Sequence, residues 1–338
     1  MTIEVLKAGL FTTVQDQGRF GYRGVGVVTS GAMDGFALRA ANLLVANAPD
    51  AAALELTLTG ATLAFHRDAL VALCGAELDA RAAEAGPPLP GWRPVLVRSG
   101  TVLRLGSARR GARAYLAVAG GCAVPAVLGS RSTHVRSRLG GFAGRALQPG
   151  DRLQAGPPSA SGARLAARLA AASPEAAIAP AAWAIAPGAR PPYAEHPAVR
   201  VLRGREAESF AGGSLQSFLS TPYAVAPQSD RMGYRLQGER LELREPLEMI
   251  SETVTMGTVQ VPPDGQPIVL MADAQTTGGY PRIAQLAAVD LPLAAQVRPG
   301  GTLRFSEITL EEAQALFVVQ ELQLQQLEAA VRMRINLL

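Results

Sequence analysis

The sequence predicts a mainly β protein with a minor helical share (α+β), built in two halves. Three observations predict this: apolar residues recur at spacing two along many short stretches, glycine and proline punctuate those stretches, and a glycine-led strand opening recurs three times. The 338 residues exceed one ordinary core and, at roughly 150 residues per domain, fit two. Hydrophobic residues make up 48% of the chain and charged ones 18%, which supplies a buried core and is too apolar for a disordered chain.

Taken in order, a first strand ends near Lys7, and a helix over residues 36–45 follows Asp34, a residue that can cap it. Alternation at Leu54, Leu56 and Leu58, at Leu63 and Phe65, and at Val71 and Leu73 before Cys74-Gly75 predicts three strands. Further strands are expected at 95–97, 102–105 and 114–118, and in the second half at 199–202, 241–243, 259–261 and 268–271. A helix is expected over 206–219 despite Gly212-Gly213. Another is expected over 310–333, where Thr309 and Glu312 form a capping box and Ala313, Leu316, Phe317, Gln320, Leu324 and Leu327 follow one face. That helix either covers its own domain or docks a partner as a coiled coil.

The recurring opening reads V-R-S-G-T-V-L-R-L-G at 97–106, L-Q-P-G-D-R-L-Q-A-G at 147–156 and V-R-P-G-G-T-L-R-F at 297–305. Duplication and shared turn chemistry account for it equally. Residues 157–198 hold eight of the 24 prolines and much alanine, which marks a linker with a short helix around 164–172. The expected organisation is therefore a first domain over 1–156, a linker over 157–198, a second domain over 199–308 and a C-terminal helix over 309–338.

Composition excludes several chemistries. Lys7 is the single lysine beside 31 arginines, so no G-x-x-x-x-G-K-[ST] phosphate loop exists, and Lys7 lacks the Met-Lys-Met surroundings of a biotinylation site. His66, His134 and His196 are far apart, Cys74 and Cys122 have no close partner, and no metal site is expected. The two cysteines read as small apolar core residues in a reducing compartment. The start, MTIEVLKAGLFTTV, has no apolar signal core, and the uncharged run 114–130 is broken by Gly120-Gly121 and Pro125, short of the ~20 residues of a spanning helix. The expectation is a soluble cytoplasmic protein that touches no membrane. A net charge of +4 with 5% aromatic residues gives no basic stripe for nucleic acid, with Arg104, Arg109, Arg110 and Arg113 as a local exception that reads as a solvated strand edge.

Four segments combine glycine, aromatic and polar residues beyond the needs of a β core. The first is T-T-V-Q-D-Q-G-R-F-G-Y from Thr12 to Tyr22, continued by S-G-A-M-D from Ser30 to Asp34. Gln15, Asp16 and Arg19 could present an amide, a carboxylate and a guanidinium to a polar ligand, or an Asp16–Arg19 ion pair could simply close the loop. The second, G-S-R-S-T, offers Ser130, Arg131, Ser132 and Thr133 as a candidate anion nest, followed by Gly140-Gly141 and Arg145. His134 beside Ser132 does not make a nucleophile pair without G-x-S-x-G. The third is S-D-R-M-G-Y-R from Ser229 to Arg235. The fourth is A-D-A-Q-T-T-G-G-Y-P from Ala272 to Pro281, preceded by V-Q-V-P-P-D-G-Q-P from Val259 to Pro267; here Gln275, Thr276 and Thr277 offer donors and acceptors and Tyr280 a ring wall.

In these segments, and in L-x-V-A-G-G, L-G-S-R-S-T and G-R-A-L, the chain resembles the biotin-dependent carboxyltransferase family, also called the allophanate hydrolase subunit 2 or urea amidolyase-related family, from Gly9 to Phe305. That family includes the antagonist of a sporulation-kinase inhibitor and the C component of 5-oxoprolinase. The resemblance implies two tandem cyclophilin-like β-barrel domains. It implies a hydrolase acting on a cyclic amide: one component of an ATP-dependent 5-oxoprolinase that opens 5-oxo-L-proline (pyroglutamate) to L-glutamate. The implied partners are a small homologous subunit (the B component, kinase-inhibitor-like) and a third subunit (the A component). The implied ATP site lies on this chain or is shared with a partner, and no biotin is covalently attached here. The alternatives are the carboxyltransferase component of a urea carboxylase system and a non-catalytic antagonist that binds a kinase-inhibitor-like partner.

The resemblance, joined to side-chain chemistry, gives a candidate site. Gln15, Asp16, Asp230 and Asp273 are the catalytic candidates, able to hold an amide or move a proton. Arg19, Tyr22, Ser229, Arg231, Tyr234, Arg235, Gln260, Gln275, Thr276, Thr277, Gly278, Gly279 and Tyr280 are candidates for binding substrate, with Arg19 or Arg231 suited to a carboxylate. Two departures from the family pattern stand out. Thr258 replaces an isoleucine, read as a packing change, and Ala274 replaces an arginine, which puts an anionic contact there in doubt.

Overall fold

The computed structural model describes residues 2–83 and 86–337. They form two compact units: Met1–Arg19 with Asp34–Pro191 and Gln323–Leu338, and Phe20–Met33 with Pro192–Leu322. This division differs from the expected boundaries. Residues 157–191 are no bare linker, because they hold a helix and a paired strand, and most of the stretch belongs to the first unit.

The first unit contains β1 (Thr2–Lys7), β2 (Phe11–Gln15), α1 (Gly35–Leu44), β3 (Ala53–Thr57), β4 (Thr62–Phe65), β5 (Ala69–Ala82), β6 (Val95–Val97), β7 (Val102–Val118), β8 (Arg152–Gln154), α2 (Ala160–Ala172) and β9 (Ile178–Pro180). Their sheet has nine strands in the order β8-β1-β4-β7-β5-β6-β9, with β3 joining β2 to β7. Strand β7 unites the two stretches expected at 102–105 and 114–118, because β5 pairs with it on both sides of an irregular stretch, at Ala108 and at Arg110, and the strand does not end there. Strand β9 lies at the sheet's end, the position where Pro180 leaves no ladder donor missing. Alternate side chains, among them Val5, Leu54, Leu63, Val71, Leu103 and Leu116, make one core. Helix α1 begins where expected, with the Asp34 carboxylate accepting from the Ala37 N–H at 2.9 Å.

The second unit contains β10 (Ala198–Arg203), α3 (Gly212–Ser220), β11 (Tyr223–Val225), β12 (Gly233–Gln237), β13 (Glu252–Thr253), β14 (Thr258–Gln260), β15 (Ile268–Leu270), β16 (Thr277–Gly278), β17 (Arg282–Leu286), α4 (Leu291–Ala295) and β18 (Thr302–Glu307); α5 (Leu310–Leu337) follows, its residues to Leu322 counting with this unit and those from Gln323 with the first. Seven strands close a barrel in the order β10-β17-β14-β15-β12-β11-β18, and the parallel β10–β18 pair completes the ring. Val199, Val259, Val269, Ile283 and Leu303 fill it, and Phe218 of α3 stacks on Phe305 with centroids 4.3 Å apart. The mainly β class therefore holds, with one closed barrel and one nine-stranded sheet.

Local differences have local causes. Leu243 makes a single bridge to Phe210 where a strand was expected, and 206–219 divides into a 3-10 turn at Ala207–Ser209 and α3. The Thr309–Glu312 capping box forms, with both reciprocal bonds present. On α5 only Leu324, Val331 and Ile335 are buried, and Phe317, expected on the inner face, is exposed. Among the described residues no helix is long and apolar enough to cross a membrane.

The three recurring openings share one hydrogen-bond pattern. Gly100, Gly150 and Gly300 adopt φ of 83°, 90° and 88°, each two residues before a strand. The residues after them, Thr101, Asp151 and Gly301, return their N–H to the carbonyls of Arg98, Gln148 and Arg298. A positive φ at the third turn position is what glycine supplies without steric cost.

Candidate functional site

In the first unit the candidate anion nest is built, and its anion is the chain's own Asp16. That carboxylate accepts from the Ser130 hydroxyl at 2.7 Å, the Ser132 hydroxyl, the Arg131 N–H and the Gly18 N–H at 2.8 Å. Thr133 completes the contact, its hydroxyl donating to the Val14 carbonyl at 2.9 Å. Both carboxylate oxygens are engaged, so Asp16 latches the end of β2 to residues 130–132. Arg19 does not pair with Asp16 either. It is fully buried and donates to the carbonyls of Val127 at 3.0 Å and Ser132 at 2.8 Å. Gln15, also fully buried, donates its amide N–H to the Thr13 hydroxyl and the Thr133 carbonyl, both at 3.0 Å. The first segment and the nest thus form one buried polar joint.

The third and fourth segments meet in the barrel unit. Arg231 and Asp273 form a bidentate ion pair, Nε to Oδ2 at 2.8 Å and Nη2 to Oδ1 at 2.9 Å, with their side chains 6% and 9% exposed. Arg231 also donates to the Gly31 carbonyl at 2.6 Å, and the Ser30 hydroxyl donates to Asp273. The pair therefore fastens the Ser30–Gly31 loop to the barrel, and both charges are satisfied inside the protein. Asp230 accepts from the N–H groups of Met232 and Gly233, Ser229 exchanges bonds with the Arg235 backbone, and the Tyr234 hydroxyl donates to the Ala295 carbonyl. These are turn and core contacts. Tyr22 is half-buried, and its carbonyl accepts from the N–H groups of Val25 and Val27.

What stays available is the lip from Gln275 to Tyr280. Thr277 and Gly278 of β16 pair with Thr253 and Glu252 of β13, while Gln275, Thr277, Gly279 and Tyr280 are exposed. Beneath them lies Gln260, 2% exposed, its amide nitrogen 3.4 Å from the Tyr280 carbonyl. A Cβ on Gly278 would stand 2.4 Å from that nitrogen, so glycine is what lets the lip rest on the amide. Ala274 is buried against Val254 and Leu270, an apolar footing where the family pattern carries arginine. Thr258 does more than fill space: its hydroxyl bonds to Gln285 at 2.8 Å and accepts from the Thr255 N–H.

Charged residues that sequence reading did not single out hold this lip. Arg282 grips Glu206 with bonds of 2.7 and 2.6 Å and donates to Glu252 at 2.7 Å, and Arg205 donates to both oxygens of Glu252. Burial pushes the Glu206 carboxyl up, but the Arg282 bonds outweigh it and hold that group below its ordinary value of 4.5. Arg23 donates to the carbonyls of Val254 and Thr276, joining β13 to β16, and burial lowers its pKa. Arg282 follows Pro281 of the fourth motif and Arg23 follows Tyr22 of the first, so adjacency was a usable signal for both. Glu206 and Glu252 carry no such mark, since only the folded barrel brings them together.

The arrangement suits a small polar amide: an amide side chain, hydroxyls and a ring edge above a rigid ionic base. It does not fit a triphosphate. Arg23, Arg231 and Arg282 are engaged with carbonyls and carboxylates, and the nest of the first unit holds Asp16.

Comparison with known proteins gives a consistent picture. The family described as carboxyltransferase domain, subdomain A and B, matches residues 25–307. The C component of 5-oxoprolinase from Haemophilus influenzae is 40% identical over 329 residues, 97% of this chain and 98% of that protein. Its counterpart of the same name in Escherichia coli is 42% identical over 312 residues, 92% of this chain and 93% of that one. Among solved structures the urea amidolyase of K. lactis superposes with a TM-score of 0.85 at 28% identity over 96% of this chain, which spans 20% of that much longer protein.

Proposed function

Because the chain belongs to the carboxyltransferase domain, subdomain A and B, family, we propose that it is the C component of a 5-oxoprolinase, which opens 5-oxo-L-proline to L-glutamate. The observation that carries this reading is end-to-end likeness to two relatives of that name, each covered over more than nine-tenths of its length. The reaction adds water across the ring amide and breaks its C–N bond. In this reading the lip from Gln275 to Tyr280 receives the amide, with Gln260 fixing the backbone beneath it, while Arg231 and Asp273 keep the barrel mouth rigid. ATP hydrolysis supplies the driving force. Its site lies on, or is completed by, the small homologous B component and the third, A component, since the lip offers no cradle for phosphates.

A second reading rests on the likeness to urea amidolyase: a carboxyltransferase component acting on a ureido substrate. Biotin would then arrive on another polypeptide, because Lys7 is the one lysine and ends a strand pairing with Thr62. Both readings share a planar amide or ureido carbonyl at the lip. The test is ATP-dependent turnover of 5-oxoproline by the purified chain alone and after co-expression with the small and third subunits, with urea and a biotinylated carrier as the control arm. Turnover only in the full set is expected. A stable complex that is inactive on 5-oxoproline but carboxylates urea would replace the first reading with the second, and one inactive on both would leave the antagonist role.

A further inference from the structure

The sequence leaves helix α5 two roles, covering its own domain or docking a partner, and its two faces differ in what they touch. Leu324, Val331 and Ile335 are buried on one side, where Gln320 also donates to the Val289 carbonyl at 3.4 Å. The opposite side is apolar as well. Seven of the fifteen large apolar side chains exposed among the described residues lie on this one helix, a concentration of the kind that marks a contact surface. Ala315, Val318, Leu322, Ala329 and Met333 recur there at steps of three, four and seven, and all five are exposed. That is the seam spacing of a coiled coil, on a helix of 28 residues, or about four heptads.

The charges beside this seam are sorted by end. Glu311 and Glu312 stand in the first turn of α5, and Arg332 and Arg334 near its C-terminus. Glu312 is engaged in the cap, and Arg332 pairs with Glu328 of the same helix. Glu311 and Arg334 are exposed and, among the described residues, make no ion pair or side-chain hydrogen bond. A parallel pair of such helices would set acid beside acid and arginine beside arginine, which is unfavourable. An antiparallel pair sets Glu311 of each copy level with Arg334 of the other. That alignment fixes the register, since the midpoint between the two residues falls between Leu322 and Gln323. Leu322 then meets its own copy at the two-fold axis, and Ala315 lies level with Ala329, where two small side chains let the helices approach. We propose that the outer face of α5 is a self-association surface, which binds a second copy of this chain as an antiparallel two-helix seam centred on Leu322. The inference does not depend on which amide the barrel unit receives.

The test uses the full-length chain. Sedimentation equilibrium across the micromolar range is expected to show reversible conversion to twice the chain mass. Leu322→Glu, at an exposed position, should raise the dimer dissociation constant about tenfold or more while far-UV circular dichroism stays unchanged. Direction is read by cross-linking. Cys74 and Cys122 are buried, so an introduced surface cysteine reports by itself. Leu322→Cys should form an intermolecular disulfide under mild oxidation, whereas Val318→Cys, about 13 Å along the helix from its own copy in this register, should not. Ala315→Cys mixed with Ala329→Cys should link across chains, and neither should link to itself. A species of single-chain mass at every concentration, a dimer indifferent to Leu322→Glu, or linking at Val318 as fast as at Leu322 would overturn the proposal. So would a small homologous subunit that displaces the second copy and is itself lost on Leu322→Glu, which would mark this face as the seat of that partner.

Discussion

Replacing Arg231 with alanine is expected to destabilise the barrel unit by about 3–5 kcal/mol, the usual cost of removing one member of a buried ion pair and leaving its partner charge behind. The structure sets that magnitude. Both side chains are less than a tenth exposed, the pair is bidentate, and Arg231 carries a third bond to the Gly31 carbonyl. Asp273→Ala should cost a similar amount and also leave the Ser30 hydroxyl without its acceptor. In the pair Arg231→Met with Asp273→Leu neither charge is stranded, so its loss should fall short of the sum of the single losses by about 2 kcal/mol or more. Trp92 and Trp183 both lie in the first unit and do not report on the barrel. The assay is therefore native-state hydrogen exchange of amides on β14 and β15, read by mass spectrometry against denaturant. Single losses below about 1 kcal/mol, or strict additivity in the double variant, would refute the view that this pair is a fastening rather than a substrate clamp.

Gly278→Ala should cost about 1–3 kcal/mol through overpacking against the Gln260 amide, and Gln260→Ala in the same chain should return much of it, as thermal unfolding of the three variants would reveal. The Glu206 carboxyl is held below 4.5 by Arg282, so its contribution to stability is full above pH 4.5 and is lost as the pH falls through the lower folded value; urea unfolding between pH 3 and 6 should show a shallower acid loss in Glu206→Gln. Burial pushes the Cys122 thiol up from 9.0 to about 12 and raises Cys74 as well, so the thiolate fraction of Cys122 at pH 8 falls about a thousandfold, and both should resist iodoacetamide until the chain is unfolded. Asp16→Ala strands the donors of Ser130, Ser132 and Arg131 and should lower the stability of the first unit by about 2–4 kcal/mol, which the two tryptophans there can report.

Much of the fold was legible because it rests on local rules. Period-two alternation marks β3, β4 and β6, Asp34 marks the start of α1, and the Thr309–Glu312 box marks the start of α5. Boundaries failed where a rule was overridden from a distance. Two strands were expected at 102–105 and 114–118, yet pairing with β5 at Ala108 and Arg110, with bulges between, joins them as one β7. Residues 157–191 look like a linker by composition, yet β6 recruits β9. For the site, the motifs draw attention to polar residues whose partners only the folded chain reveals. Asp16, Arg19, Arg231 and Asp273 have the chemistry of catalysts, but each finds its partner inside the protein, and a sequence shows no difference between a charge offered outward and one already answered. Glu206 and Glu252 were invisible for the converse reason, since 46 residues of chain separate two groups that one guanidinium joins.

The carboxylate in the nest of the first unit has a thermodynamic consequence of its own. An anion tethered to its receptor is present at an effective concentration set by the loop and not by the solution, in the millimolar range or above. A nest that recruited phosphate or sulfate would make the folding of that unit rise and fall with the supply of the ion, as any bound solute does. By carrying Asp16 on β2, the chain makes the joint self-sufficient: its closure is an intramolecular event, indifferent to dilution and to the ionic composition of the medium.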